Sequence, residues 1–226
     1  TEVSLPCMFA PVGRRDYDEA RVRGSESLLH VVARTGVAVH WRDNQSGCKG
    51  VCEGLSQDEV GSLKLPGLCL DGRCLDEGLL HGLDERLAAL AGTAGRAPGA
   101  TAPTQFLVLH TLGNHGPSYY RRYPPAFARF QPFCAFDDLQ KCSREEIVNA
   151  YDNALLYTDH VLASLVARLQ AASARVDSAL LYVSDHGESL GENNLFLHGM
   201  PYAMAPDVQK QVPMTLWLSA GAAPAL

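Results

Sequence analysis

The alternation of amphipathic helices with short apolar strands constrains the fold of this chain more than any other feature. Leucines at helical spacing predict a helix over 76–91, and Ser143 with Glu146 forms a capping box that opens a longer helix. That helix runs into Ala179–Val183, which we predict to be a strand buried on both faces. Further elements are predicted as a helix at 25–35 and strands at 37–41, 105–110 and 212–218. This alternation indicates an α/β/α sandwich with a mostly parallel central sheet.

Composition indicates an ordinary globular protein. The chain has 226 residues, of which 46% are hydrophobic and 19% are charged, enough for one large domain with a full core. A formal net charge of -6 and the lack of a basic cluster argue against a nucleic-acid partner. No apolar run approaches the roughly 20 residues that a membrane-spanning helix requires. We therefore treat residues 1–226 as one domain.

Six of the seven cysteines fall in close pairs within polar, glycine-bearing loops. Local pairs of this kind are typical of disulfides, which persist in oxidising compartments. Zinc binding is the alternative, although no pair has the Cys-x-x-Cys spacing of a zinc knuckle. The sequence therefore predicts a periplasmic or extracellular protein, with Cys7 left over. The predicted disulfides are Cys48–Cys52, Cys69–Cys74 and Cys134–Cys142.

A candidate metal site follows the predicted strand at 179–183. Asp185 and His186 are adjacent there, and on a regular strand their side chains would point to opposite faces. Gly187 gives the backbone the freedom to leave the strand and bring both groups to one side. Carboxylate oxygen with imidazole nitrogen suits zinc better than calcium or magnesium. The alternative is a polar loop with a solvated Asp and a hydrogen-bonded His.

A second loop rich in histidine follows the strand at 105–110. That strand ends in His110 and continues into a loop that carries His115. Sites in open α/β sheets gather at the carboxyl ends of strands, so this loop is predicted to face the segment from Asp185 to His198. His110 is the exception, because it can equally be a core residue or a support for the site. The predicted functional residues are His115, Asp185, His186 and His198.

Other polar residues allow both a functional and a structural interpretation. Lys49 lies in a cysteine-bearing loop and can bind an anion or be a surface charge. The aromatic and basic run at 119–123 can form a rim for a lipid headgroup or glycan, or a solvated loop. Glu188 and Glu192 are predicted to cap loops or to support the site. The histidines predicted to be structural or solvated are His30, His40, His81 and His160.

Six segments resemble one family over essentially the whole chain and in the correct order. They include Gly-Asn-His-Gly-Pro at 113–117 and Val-Ser-Asp-His-Gly-Glu-Ser-Leu-Gly-Glu-Asn at 183–193. The others lie at 4–9, 41–44, 149–155 and 197–201. These segments resemble the lipid A phosphoethanolamine transferases, which include the mobile colistin-resistance proteins. That family belongs to the alkaline phosphatase and sulfatase superfamily.

The resemblance implies a mechanism and a set of site residues. Thr1 matches the nucleophile, and Thr1, Asp185 and His186 match ligands of a catalytic zinc. Thr1 would attack phosphatidylethanolamine, release diacylglycerol and pass the phosphoethanolamine group to a lipid A phosphate. His115 and His198 match residues that position the phosphoryl group or hold a second zinc. The substrate-binding residues are expected among His110, His115, His198, Lys49 and Gln45, the last standing where the family has Asn.

The resemblance also implies parts that the sequence does not contain. The family's fourth zinc ligand, a Glu, and the partner of Cys7 are expected upstream of Thr1, as is a transmembrane anchor. We therefore expect a truncated, soluble and monomeric catalytic domain with weakened metal binding and little activity. The full-length protein is expected at the periplasmic face of the bacterial inner membrane.

Three alternatives remain at this stage. A sulfatase or phosphodiesterase of the same superfamily would share the fold and the Asp-His pair. An N-terminal nucleophile hydrolase would use the α-amine of Thr1 as its base, but it would leave the histidines unexplained. A non-catalytic periplasmic zinc-binding module would need the metal ligands alone.

Overall fold

The computed structural model describes residues 3–70, 72–92 and 103–223, so Thr1 lies outside the described residues. The helices in this part of the chain are α1 Ser4–Met8, α2 Glu19–Gly24, α3 Leu28–Arg34, α4 Leu83–Ala91, α5 Arg144–Ala172 and α6 Asp207–Lys210. The strands there are β1 Ala38–Asp43, β2 Ser56–Glu59, β3 Cys69–Leu70, β4 Arg73–Cys74, β5 Gln105–His110, β6 Ala179–Val183, β7 Ser189–Leu190, β8 Phe196–Leu197 and β9 Met214–Leu218. Helices thus alternate with short strands, as predicted.

A parallel sheet in the order β2-β1-β5 forms the centre of the fold. Parallel pairing brings the carboxyl ends of neighbouring strands to the same edge of the sheet, where Asp43 of β1 lies opposite His110 of β5. With helices flanking this sheet, the predicted α/β class and its parallel central sheet are confirmed. The strand at 105–110 is predicted correctly, although Phe106 remains 37% exposed.

Strand β6 pairs antiparallel with β9, not with the parallel sheet, in the described residues. Its bounds match the predicted strand, but the expectation that both faces are buried is wrong. Leu181 of β6 is 59% exposed and Leu216 of β9 is 56% exposed, while Leu180 and Trp217 pack against the core around α5. An apolar run shows that a strand forms, but it does not reveal whether one face or two are covered.

Helix α5 carries the largest core. Ser143 and Glu146 form the predicted capping box, since each side chain bonds the other's backbone N–H. The inner face of α5 packs against Leu83 and Leu87 of α4. Leu155 lies outside this packed face and is 48% exposed. The buried apolar residues of α5 are Ile147, Ala150, Ala154, Tyr157, Val161, Leu165 and Leu169.

The segment predicted as one helix at 76–91 is divided. A 3₁₀ turn spans Asp76–Leu80, and α4 begins at Leu83. Gly82 between them has a φ of +71°, a left-handed conformation that interrupts helical hydrogen bonding and favours glycine. Leucine spacing indicated helical conformation on both sides of this break but did not reveal it.

The three predicted disulfides are confirmed as Cys48–Cys52, Cys69–Cys74 and Cys134–Cys142. Cys7 forms no disulfide. Cys134 is buried in a cluster with Tyr119 and Ile147, so the loop that this disulfide closes packs against the first turns of α5. None of the helices in the described ranges is long and apolar enough to cross a membrane.

Candidate active site

Asp185 and His186 follow β6 and lie on the same side of the chain, as predicted. Nε2 of His186 is 3.7 Å from Oδ1 of Asp185, and both side chains are partly exposed. Ser4 of α1 donates a 2.8 Å hydrogen bond to Oδ2 of Asp185. This bond fixes the start of α1, three residues after Thr1, against the carboxylate.

Gly187 serves a different purpose from the one predicted. Its φ lies outside the left-handed range, so no unusual backbone freedom is needed there. A Cβ at this position would instead lie 1.9 Å from the carbonyl oxygen of Val208 in α6, and Gly187 N donates to the carbonyl of Gln209. Close backbone packing against α6 therefore requires glycine, and it sets the path of the chain after His186.

Three histidines from the two predicted loops come together. The rings of His186 and His198 stack with their centroids 3.7 Å apart. His115 approaches edge-on, 5.0 Å from the His198 centroid and 6.2 Å from that of His186. The loop after β5 and the segment after β6 thus face one another, as their positions at strand ends predicted.

Glu188 joins this cluster and exceeds the supporting role predicted for it. Its side chain is 5% exposed, and Oε2 lies 2.8 Å from Nδ1 of His198. Tyr119 donates a 2.6 Å hydrogen bond to the other carboxylate oxygen. His186, Glu188 and His198 each offer a ligand atom within 4.8 Å of the others, so they could hold a metal ion. The position of Glu188, two residues after His186, was the signal available in the sequence.

The hydrogen bonds of the three rings leave a ligand nitrogen available on each. Nδ1 of His115 and Nδ1 of His186 face the carbonyl oxygens of Gly116 and Gly187, which can only accept. Nδ1 of His198 faces the Glu188 carboxylate. Each Nδ1 is therefore the protonated donor, and the lone pair of each neutral ring is on Nε2. Donation through one nitrogen is how metal-binding histidines are oriented.

The charges at the site are those that a cation would favour. Burial raises the pKa of Asp185, but nearby His186 and the hydrogen bond from Ser4 outweigh it, so the pKa lies below its ordinary value. Burial lowers the pKa of His115, and the neighbouring His198 adds to this effect. Asp185 is thus ionised and His115 tends to be neutral, as metal ligands must be.

Asp76 positions the loop that carries His115, a role that sequence reasoning missed. It is buried, and it accepts hydrogen bonds from Nδ2 of Asn44 and from the backbone N–H groups of Leu112 and Gly113 at 2.7–2.9 Å. Burial raises the pKa of Asp76. An Asp in the first turn of a predicted helix gives no signal for such a role.

The other predicted substrate residues lie around β1 and α1. His110 pairs with Asp43, and the backbone N–H of Gln45 donates to the same carboxylate. Lys49 lines a separate cavity of about 510 Å³ beside Phe9 and α2. Of the histidines predicted to be structural, His30 bonds Ser27 and the Glu53 carbonyl, His40 bonds Ser56, and His160 stacks on Tyr157.

Comparison with known proteins defines the class. The sulfatase family matches residues 1–225, and the chain belongs to that family. This agrees with the predicted superfamily and with the parallel sheet.

Within that class, the predicted resemblance to phosphoethanolamine transferases is confirmed. Phosphoethanolamine transferase EptA of Escherichia coli K12 is 46% identical over 219 residues, covering 97% of this chain and 38% of the relative. Phosphatidylethanolamine transferase Mcr-1 of Escherichia coli is 42% identical over 223 residues, covering 96% of this chain and 39% of the relative. The chain thus spans about two fifths of these curated relatives.

A solved structure of a phosphoethanolamine transferase domain is also similar to this chain. The soluble domain of lipooligosaccharide phosphoethanolamine transferase A from Neisseria meningitidis superimposes with a TM-score of 0.89 and 42% sequence identity. The match covers 99% of this chain and 64% of that one.

Proposed function

We propose that this chain is the catalytic part of an enzyme that transfers phosphoethanolamine from phosphatidylethanolamine to a lipid A phosphate. The observation that carries this proposal is the convergence of His115, His186, Glu188 and His198 beside the Asp185–Ser4 contact. Similarity to named phosphoethanolamine transferases supports the choice of transferred group.

The donor set fits zinc. Imidazole nitrogen and carboxylate oxygen are common zinc ligands, and the three rings are already oriented through Nδ1. We assign Asp185 and His186, together with Thr1, to a catalytic zinc. Glu188, His198 and His115 are then available for a second zinc or for the phosphoryl group. Bound zinc lowers the pKa of a coordinated hydroxyl and withdraws charge from a phosphoryl oxygen.

The chain's own residues supply the nucleophile and hold the substrate. The Thr1 hydroxyl loses its proton and attacks phosphorus, the bond to diacylglycerol breaks, and diacylglycerol takes up a proton. A lipid A phosphate oxygen then attacks the phosphorus of the Thr1 phosphoester, the bond from phosphorus to the Thr1 oxygen breaks, and that oxygen takes up a proton to restore the hydroxyl. Ser4 supports this assignment, because its bond to Asp185 holds the start of α1 at the cluster. His115 and His198 stabilise charge on the phosphoryl oxygens.

The proposal includes a cellular setting and a consequence. The enzyme acts as a monomer at the periplasmic face of the inner membrane, consistent with three disulfides. Phosphoethanolamine carries an ammonium group, so its addition makes lipid A less negative and weakens binding of cationic polymyxins, including colistin. Gln45 and Lys49 contact substrate in this proposal.

Mass spectrometry of lipid A tests the function. Cells that express the protein carrying this chain are expected to contain lipid A with an added phosphoethanolamine group, and its Thr1→Ala and His186→Ala variants to lack it. His81→Ala, at an exposed position, is the matched control and should retain the modification. Unmodified lipid A in cells with well-expressed wild-type protein would defeat the proposal.

A sulfatase or phosphodiesterase is the second candidate, because the family match by itself is to sulfatases. Hydrolysis of aryl sulfates or phosphodiesters without any lipid A modification would favour it. A zinc-binding module without catalysis predicts that the Thr1→Ala variant loses nothing measurable, whereas the transferase loses phosphoethanolamine transfer and keeps zinc.

A further inference from the structure

His110 and Asp43 form an imidazole–carboxylate pair at the ends of neighbouring parallel strands. They are register partners of β5 and β1, and Nδ1 of His110 lies 2.6 Å from Oδ1 of Asp43. The side chains are only 13% and 6% exposed, respectively. Such burial shields the pair from competing water and favours a fixed geometry.

The hydrogen bonds of Asp43 determine where the proton of His110 resides. Asp43 also accepts from Nε1 of Trp41 and from the backbone N–H groups of Gln45 and Gly47. Burial raises the pKa of Asp43, but the hydrogen bonds from His110, Gly47 and Trp41 outweigh it and lower the pKa to about 2. The ionised carboxylate can only accept, so Nδ1 of His110 is the donor and the lone pair of the neutral ring is on Nε2.

Nε2 of His110 is free to meet a substrate. Among the described residues it has no hydrogen-bond partner. It is also accessible to solvent, because His40 Nε2, and not this atom, is the buried side-chain nitrogen without a partner in that part of the chain. The edge of Trp41, which is 1% exposed, braces the ring at a centroid distance of 5.2 Å. An oriented ring with an accessible, unprotonated nitrogen is the arrangement of a general base.

The pair also contacts the elements that carry the proposed site. Asp43 fixes the turn of Gln45 and Gly47 that leads to Lys49. Phe9, which directly follows α1, packs on Trp41 with the ring centroids 5.9 Å apart, and Ser4 at the start of α1 bonds Asp185. The segment from Ser4 to Phe9 therefore contacts both Trp41, which packs against His110, and the Asp185 carboxylate.

We propose that His110 is the general base of the second half-reaction and that Asp43 is its positioning residue; this rests on the proposed function. The hydroxyl of an acceptor phosphate monoester gives its proton to Nε2 of His110. Its electron pair forms the new P–O bond, and the bond from phosphorus to the nucleophile's oxygen breaks. That oxygen takes a proton from solvent and the imidazolium releases one, so the protein returns to its starting state.

Transfer kinetics with separate readouts of the two half-reactions test this role. In the His110→Ala variant, one equivalent of diacylglycerol is still released in a burst, while transfer to lipid A falls about 10²–10⁴-fold. Added imidazole restores part of the transfer rate, which a merely structural defect would not allow. His110→Gln, which fills the space without a base, shows the same loss. His160→Ala is the control and keeps the wild-type rate.

The tautomer of His110 gives a readout that does not depend on activity. In ¹⁵N NMR spectra, Nε2 is expected to be the unprotonated nitrogen of the neutral ring, and Asp43→Asn shifts the proton away from Nδ1. Wild-type transfer in His110→Ala, or slow transfer that imidazole does not improve, overturns the proposal, as does an Nε2–H tautomer. If wild-type protein transfers nothing, the proposed function fails instead, and the tautomer still shows whether the pair exists as described.

Discussion

Glu188 and His198 are joined through the pairing of two short strands. Ser189 of β7 is the antiparallel register partner of Leu197 of β8. Glu188, which precedes Ser189, therefore lies opposite His198, which follows Leu197, and its Oε2 is 2.8 Å from Nδ1 of His198. Tyr119 holds the other oxygen of the same carboxylate. The orientation of the His198 ring therefore depends on a hydrogen-bond chain that begins in the loop after β5.

Tyr119→Phe is expected to weaken this chain. Burial and nearby Glu188 raise the pKa of Tyr119 well above its ordinary value, so its hydroxyl donates at any working pH. Removing this donor leaves a buried carboxylate oxygen without its partner, at a cost of about 1–3 kcal/mol in unfolding free energy. Urea denaturation measures the change. Tyr120→Phe, in the same turn with its hydroxyl bonded to the exposed Arg121, should change stability by less than about 0.5 kcal/mol. Equal effects of the two variants would contradict a stabilising hydrogen bond from Tyr119 to the buried Glu188 carboxylate.

Zinc affinity should depend on the histidine cluster. His186→Ala and His198→Ala each remove an imidazole nitrogen from the proposed metal site, and each is expected to weaken zinc binding at least about tenfold, because even changes to residues that only support the ligands cost that much. Isothermal titration calorimetry of the purified variants measures this loss. The control is His81→Ala, which leaves the cluster intact and should bind zinc with wild-type affinity. Loss of affinity in the control as well would point to unfolding, whereas unchanged affinity in both cluster variants would rule out this metal site.

Asp76→Ala should destabilise the loop that carries His115. It leaves the N–H groups of Leu112 and Gly113 and the amide of Asn44 without their acceptor, and we expect a loss of about 3 kcal/mol or more. Chemical denaturation tests this value. Asp84→Ala removes only an exposed ion pair with Arg168 and should cost less than about 1 kcal/mol. A small effect at Asp76 would show that the loop does not depend on this carboxylate.

Stability should fall in acid because of Asp43. Its pKa is about 2 in the folded protein, below the roughly 3.9 of an unfolded Asp, so it stabilises the fold above the unfolded pKa. That contribution, about 2 kcal/mol, is lost as the pH falls from about 5 to about 2. Unfolding free energies of wild-type and Asp43→Asn protein, measured across this range, should differ most at neutral pH and converge in acid. A difference that stays constant with pH would contradict the assignment.

Local patterns predicted much of the fold and part of the site. Periodicity and capping located α5, β5 and β6, and proximity in sequence paired the cysteines, since each pair is 4 to 8 residues apart. Asp185 and His186 were recognised because the two ligand types are adjacent at a strand end. These features depend on neighbours along the chain, so they can be inferred without the fold.

Packing between distant segments could not be inferred in this way. Gly187 was predicted to provide backbone freedom, yet it is required by contact with α6, 21 residues away at Val208. The one-sided burial of β6 follows from pairing with β9 and not from its own apolar sequence. Asp76 carries no local signature, because its partners come from other elements, and the contact of Asp43 with His110 depends on the register of two strands.

The sequence by itself determined the longest helix and several of the strands, which cysteines pair, and which loops carry the histidines and carboxylates of the candidate site. Only the tertiary structure decided how these groups act together. Ser4 reaches Asp185 across 181 residues, Tyr119 reaches Glu188 across 69, and His110 reaches Asp43 across 67. Conformational preferences are set by neighbouring residues, whereas these contacts arise because strand pairing and the packing of loops and helices bring together residues that are distant along the chain; parallel pairing of β1 with β5 accounts for the contact of His110 with Asp43.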